Sequence, residues 1–252
     1  MRTLVFFFFY TTSAFLAYLF SGKFFEEGFF AFENPSDVSN SFYYFLLILA
    51  FTALIIFLIK LSKLFVKLIF YLLIFLTIYF VLTPFIGFFA LIPSLVLTLI
   101  LAVKKNPIFV NFVALFVSAG VIAIFGISLE PLPAIILLAI LAIYDYVSVY
   151  KTGHMVKLAE SLSEMELPLL FIVPGKERNS YMGVGDVVIP NVLFISSAYY
   201  SSLIQAIFTL AFSSAALILL LKKVDKPTPG LPYLNSAAIL GFLISSLLPL
   251  SG

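Results

Sequence analysis

The chain has 252 residues, of which 63% are hydrophobic and 10% charged, with a net charge of +2 and a mean hydropathy of +1.20. A soluble domain carries roughly 25% charged residues, so the composition excludes an ordinary globular enzyme, a disordered protein and a nucleic-acid binder. The absence of Cys and the single His exclude a disulfide, a thiol nucleophile, a thiolate metal site and a paired-His zinc motif. No cofactor and no metal are therefore expected. Apolar and polar residues alternate in blocks, not residue by residue. That pattern reads as membrane-spanning helices, not as a barrel.

In chain order, Arg2 precedes a first apolar run at residues 3–20, followed by an acidic segment with Glu26, Glu27, Glu33 and Asp37. A cleaved signal peptide is the alternative for this run, but no small-x-small cleavage site follows it. The second run, 42–59, ends at Lys60, Lys63 and Lys67. Residues 68–103 would form one helix of about 54 Å, too long for a hydrocarbon core of about 30 Å. Two spans are expected there, broken near Thr83, Pro84 and Gly87. By the same argument residues 107–150 hold two spans broken near Glu130-Pro131, and 180–221 two more broken near 196–202. A last run follows at 230–250. The sum is nine spans with the N-terminus inside. Every Lys and Arg of the 14 except Lys23 then falls on the inner side, as the positive-inside rule requires. Residues 167–173 (LPLLFIV) are too short to span. They suit a short strand or an interfacial segment before the seventh helix.

Of the 12 acids, only Asp145 and Asp186 fall within expected spans. A carboxylate at mid-membrane depth costs about 2.5–3.5 kcal/mol on insertion scales, so an acid there is a functional hypothesis. Asp145 lies six residues before Lys151 on an inward-running helix. Asp186 lies six residues after Ser180 on the next, outward-running helix. If that helix starts near Ser180, both acids sit about 9 Å from the inner boundary. Two carboxyls sharing a site cannot both ionise cheaply, so such a pair holds one proton near neutral pH. One member can take a proton from water while the other donates to a carbonyl oxygen. Spacing alone leaves open a proton- or cation-coupled transporter or leak channel, a membrane assembly scaffold, and an Asp simply bonded to a neighbouring Tyr or Ser.

The residues around both acids carry a signature. Tyr144-Asp145 lies on the sixth span, Gly183-Val184-Gly185-Asp186 opens the seventh, and Pro229-Gly230-Leu231 opens the ninth. In that order they resemble the Y-D, G-x-G-D and Pro-Ala-Leu marks of the presenilin and signal peptide peptidase family of intramembrane aspartyl proteases. The run Gly185-Asp186-Val187-Val188-Ile189-Pro190 is especially similar to the signal peptide peptidase branch, and the short loops resemble an archaeal member. The resemblance implies an intramembrane aspartic endopeptidase with Asp145 and Asp186 as its catalytic pair and Tyr144, Gly183 and Gly185 in support. Its substrate would be a transmembrane peptide or protein, met at Pro229, Gly230 and Leu231 and by a strand, for which Leu167–Val173, including Leu170, Phe171 and Ile172, and the segment around Ser180–Val184 are the candidates. The family's middle Ala is Gly230 here, which keeps a small residue but adds flexibility. Pro232-Tyr233-Leu234 is a second, less favoured frame. His154 reads as a solvated loop residue.

The expected fold is an all-α polytopic membrane protein with nine transmembrane helices and a C-terminus outside. It forms one domain: six helices in 1–150, an inner loop at 151–179 that includes the short strand, and three helices in 180–252. The expected setting is a multi-pass protein of the cell membrane whose partners are the lipid bilayer and its substrate. Homo-oligomers are compatible with this picture, and no nucleic acid is expected.

Overall fold

The computed structural model describes residues 2–103, 106–152, 170–175, 179–223 and 228–248. Expectations placed on residues 153–169, 176–178 and 224–227, His154 among them, lie outside these. The chain begins with α1 (Arg2–Glu26), which runs beyond the expected end at Phe20. Lys23 in its last turn meets Glu27 at 3.0 Å and Glu26 at 3.7 Å. The one cation that breaks the inner-side pattern thus pairs with acids one turn on.

Helices α2 (Ser39–Leu61) and α3 (Lys63–Ile86) are separated by one extended residue, Ser62. Its hydroxyl accepts from the Phe65 N–H at 3.4 Å and caps α3. The break expected near Thr83, Pro84 and Gly87 falls at the last of these. Pro84 is inside α3, where it removes one ladder bond near the end. The helix stops at Gly87, whose φ of 57° lies in the left-handed region open to glycine. A 3-10 turn (Gly87–Ala90) leads to α4 (Leu91–Val103), which packs back on α3.

Both α5 (Pro107–Ile127) and α6 (Pro131–Val147) open on proline, whose missing N–H costs nothing at a first helical position. A π-type turn (Ser148–Thr152) follows α6. Strands β1 (Leu170–Val173) and β2 (Ser180–Gly183) pair antiparallel, and β2 runs without a gap into α7 (Val184–Tyr200). The seventh helix therefore starts at Val184, not near Ser180, because the preceding four residues pair with β1. Helices α8 (Leu203–Lys223) and α9 (Leu231–Ser246) complete the order.

Among the described residues, six helical runs are long and apolar enough to cross a membrane, one of them the 41-residue run Lys63–Val103 that turns at Gly87. Helices α7 and α9 are apolar but shorter. The main core joins α1, α5, α6, α7, α8 and α9 with Phe171, Val173 and Met182 of the hairpin. At its centre α7 is buried on all sides from Pro190 to Ser197. By contrast α2, α3 and α4 turn large apolar side chains such as Leu47, Phe57, Leu68 and Phe88 outward. With a bilayer as solvent such faces need no cover.

Close approach at small residues sets the α5–α7 contact. A Cβ at Gly126 would lie 2.4 Å from the Ile195 Cβ, closer than packed atoms allow. Gly126→Ala is therefore expected to destabilise the fold by about 1–3 kcal/mol, the usual scale of overpacking, seen as a lowered thermal unfolding temperature in detergent. Gly22→Ala is the control, since its nearest atom is the Tyr199 hydroxyl at 3.5 Å, and it should leave that temperature unchanged.

Candidate functional site

Asp145 lies two residues before the end of α6 and Asp186 two residues after the start of α7. Each acid is thus placed two residues from a helix end, and the count from Ser180 expected to set Asp186 does not apply. The start of α9 joins the two acids physically. The Leu231 N–H donates to Oδ2 of Asp145 at 3.1 Å. Leu231 opens α9, where the first N–H groups lack intrahelical acceptors. Asp145 thus caps α9 from another helix, at the positive end of its dipole.

Gly230, one residue earlier, accommodates the other acid. A Cβ there would lie 2.7 Å from Oδ1 of Asp186, and a Cβ at Gly183 would lie 3.3 Å from its Oδ2. The Asp186 carboxylate is cradled between two glycines, and the two acids contact adjacent residues of one corner. Gly230 has φ −82° and ψ −42°, an ordinary helical conformation. What the glycine supplies is room, not the flexibility expected from the sequence. Gly185 differs: a Cβ there would meet nothing within 4 Å, so it faces open space. In the alternative frame Tyr233 is 51% exposed, while Pro229 and Gly230 are buried at the acids.

Tyr144 faces α2. Its ring lies 5.8 Å from that of Phe45 at 78°, and its hydroxyl interacts with Thr52. The residue holds α6 against α2 beside the site. A second tie holds α9 on α6: Asn235 Nδ2 donates to the Leu138 carbonyl at 2.9 Å. A cavity of about 240 Å³ opens beside Asp186, bounded by Tyr181 and Met182 of β2, Leu217 and Leu220 of α8, and Thr228 and Gly230. At about 30 Å³ per water it holds several waters or a short piece of peptide. Among the described residues no third carboxylate or histidine joins the two acids to form a metal-binding group.

Of the two segments expected as substrate-pairing strands, β1 and β2, the hairpin leaves only β2 with an accessible edge. Phe171 is 0% exposed and stacks on Phe9 of α1 at 5.0 Å. Ile172 donates its N–H to Oδ1 of Asn111 at 2.7 Å, and its carbonyl accepts from Nδ2 of the same side chain at 2.7 Å. These groups of Ile172 point away from β2, so Ile172 and Tyr181 form a non-hydrogen-bonded pair. By the same alternation Tyr181 turns its N–H and C=O, and Gly183 its N–H, to the far edge of β2. Leu170, Phe171 and Ile172 therefore belong to an inner strand with both sides occupied, and β2 is the outer one. Asn111 was not singled out by sequence reasoning. Its signal is a lone amide in an otherwise apolar helix start, PIFVNFVAL.

Comparison with known proteins supplies a family and a fold. The family described as signal-peptide peptidase, presenilin aspartyl protease matches residues 8–249. A structure of a presenilin family intramembrane aspartate protease in a C222 crystal form is similar over 98% of this chain and 99% of that one, with 27% identity and a TM-score of 0.78. A second, in a P2 form, is similar over 95% of each chain, with 29% identity and a TM-score of 0.74. The curated proteins give no significant match.

The cap on α9 has a measurable consequence for stability. Asp145→Asn keeps an oxygen for the Leu231 N–H, whereas Asp145→Ala removes it. The Ala variant is expected to be less stable than the Asn variant by about 0.5–2 kcal/mol, the usual worth of a cap, in thermal unfolding of the detergent-solubilised protein.

Proposed function

The chain belongs to the signal-peptide peptidase and presenilin family of aspartyl proteases, and from that premise we propose how this intramembrane endopeptidase works. Asp145 and Asp186 form the catalytic pair, sharing one proton. The ionised carboxylate removes a proton from water as the water oxygen bonds to the scissile carbonyl carbon. The protonated carboxyl donates to the carbonyl oxygen, giving a neutral gem-diol. The pair then gives a proton to the amide nitrogen and takes one from a gem-diol hydroxyl as the C–N bond breaks, leaving a carboxyl and an amine end and restoring the single shared proton. The observation that carries this reading is the Gly230-Leu231 corner, where a glycine makes space for one acid and the next N–H holds the other.

In this reading the chain crosses the cell membrane nine times with its N-terminus inside. Support comes from Arg2 at the start of α1, Lys60 at the end of α2, Lys151 after α6 and Lys222 and Lys223 at the end of α8, all at the end of the bundle that holds the acids. The substrate is a transmembrane segment of a membrane protein or signal peptide, unwound near that end. Its strand adds to the outer edge of β2 through Tyr181 and Gly183, a general way to recognise an extended peptide. Cleavage needs an extended segment, because a helix hides its peptide bonds. The transporter alternative gains no support from the family or structural matches.

Asp145→Asn and Asp186→Asn should each lower cleavage of a single-span substrate in liposomes by at least a thousandfold. In wild type the rate should fall on both the acid and the alkaline side, as a pair sharing one proton requires. Undiminished cleavage by either variant rules the pair out. Gly230→Ala is expected to cut kcat about tenfold or more with little change in KM, because the added methyl displaces the Asp186 carboxylate. Gly230→Val should abolish turnover. A Gly230→Ala enzyme with wild-type kcat would show that the close approach is unimportant.

A further inference from the structure

We infer that Asn111 is a positioning residue for substrate: its side-chain amide acts as a surrogate third strand that closes β1, directs strand addition to β2 and sets which peptide bond reaches the aspartates. This rests on the proteolytic reading above and adds to it a residue that none of the family motifs includes.

The geometry is specific. A peptide unit offers one N–H and one C=O to its neighbour in a ladder, and a primary amide offers the same pair. Asn111 presents both to Ile172, each at 2.7 Å, and the side chain is 8% exposed. Within an apolar helix start, an amide without such partners would be costly. Its two bonds occupy the edge of β1 that would otherwise accept a strand. The sheet has two strands among the described residues, so the far edge of β2 is where an incoming strand can pair.

The same amide links the strand to the reacting atoms by a second route. Strand β2 continues directly into α7, which carries Asp186 two residues on. Strand β1 is tied to α5 by Asn111, and α5 packs on α7 where Gly126 meets Ile195. Hairpin, α5 and α7 thus close a triangle. With Asn111 in place the tilt of the β2 edge relative to Asp186 is determined. Without it the hairpin keeps its apolar packing, the Phe9–Phe171 stack on α1 included, and one long, exposed hydrogen bond from Arg2 to the Ser180 hydroxyl at 3.5 Å. Strand position translates into chemistry at about 3.3 Å per residue, so a shift of one residue moves a different bond to the aspartates.

The test compares wild type, Asn111→Leu and Asn111→Gln in liposomes, using a single-span substrate whose products are mapped by mass spectrometry. Asn111→Leu removes both bonds at nearly constant volume. It should raise KM at least fivefold, leave kcat within about twofold, and spread cleavage to bonds on either side of the wild-type position. Asn111→Gln keeps the amide and should restore part of the wild-type pattern. Labelling by a small transition-state analogue that binds only the aspartates should be unchanged in both. An Asn111→Leu enzyme with wild-type KM and wild-type cut positions overturns the inference. So does one that loses analogue labelling and thermal stability together, since that marks a general packing role. A wild type that never cleaves defeats the protease reading itself, which sets that failure apart from the failure of Asn111.

Discussion

The site depends on one corner of backbone. At Gly230-Leu231 the chain enters α9 without a side chain at one position and with an unpaired N–H at the next. The missing Cβ admits the Asp186 carboxylate, and the N–H holds Asp145. Acids on two different helices are thereby brought against one peptide unit of a third. Close packing there is steric and directional at once, so neither acid can drift without losing a contact. Pro232 adds to this, because it has no N–H to compete for an acceptor in the first turn. The remaining N–H groups of that turn, Tyr233 and Leu234, bond back to the Gly230 carbonyl.

Two short helices meet at the site. Helices α7 and α9 have 17 and 16 residues, or about 24–26 Å each, against a hydrocarbon core of about 30 Å, whereas α6 continues through its π-type turn as a run of 21 residues to Lys151. The cavity beside Asp186 lies between β2, α8 and the start of α9. Irregular backbone at membrane depth is tolerable where it lines such a cavity. The β-hairpin stands at the same level, where β2 both walls the cavity and leads into α7.

Much of this was legible in the residues themselves. Lys clusters fall at helix ends because Lys and Arg avoid the bilayer core, and the two acids within apolar runs stand out because a carboxylate there is costly. Other features were not legible, for identifiable reasons. Of the residues expected to break the run after α3, Gly87 ends the helix and Pro84 does not, since a proline in a last turn is tolerated while a left-handed φ is not open to most residues. The start of α7 moved from Ser180 to Val184 because strand pairing over long range outweighed local apolarity. For Gly230 a small residue suggested both close approach and added flexibility; the close approach is present at the Asp186 carboxylate, while the backbone is ordinarily helical. Asn111 gave a weak signal, one amide among apolar residues, because its partners are backbone atoms 61 positions away.

The central claim is that Asp145 and Asp186 act together on one reacting carbon at this corner. It is tested most directly by solving the structure of the wild-type protein with a peptide isostere whose hydroxyl mimics the tetrahedral intermediate. The account predicts that hydroxyl within hydrogen-bond distance of both carboxylates, with the Leu231 N–H still on Asp145 and the Asp186 carboxylate still against Gly230. A hydroxyl bound to one acid alone, or carboxylates that separate when the isostere binds, would contradict it.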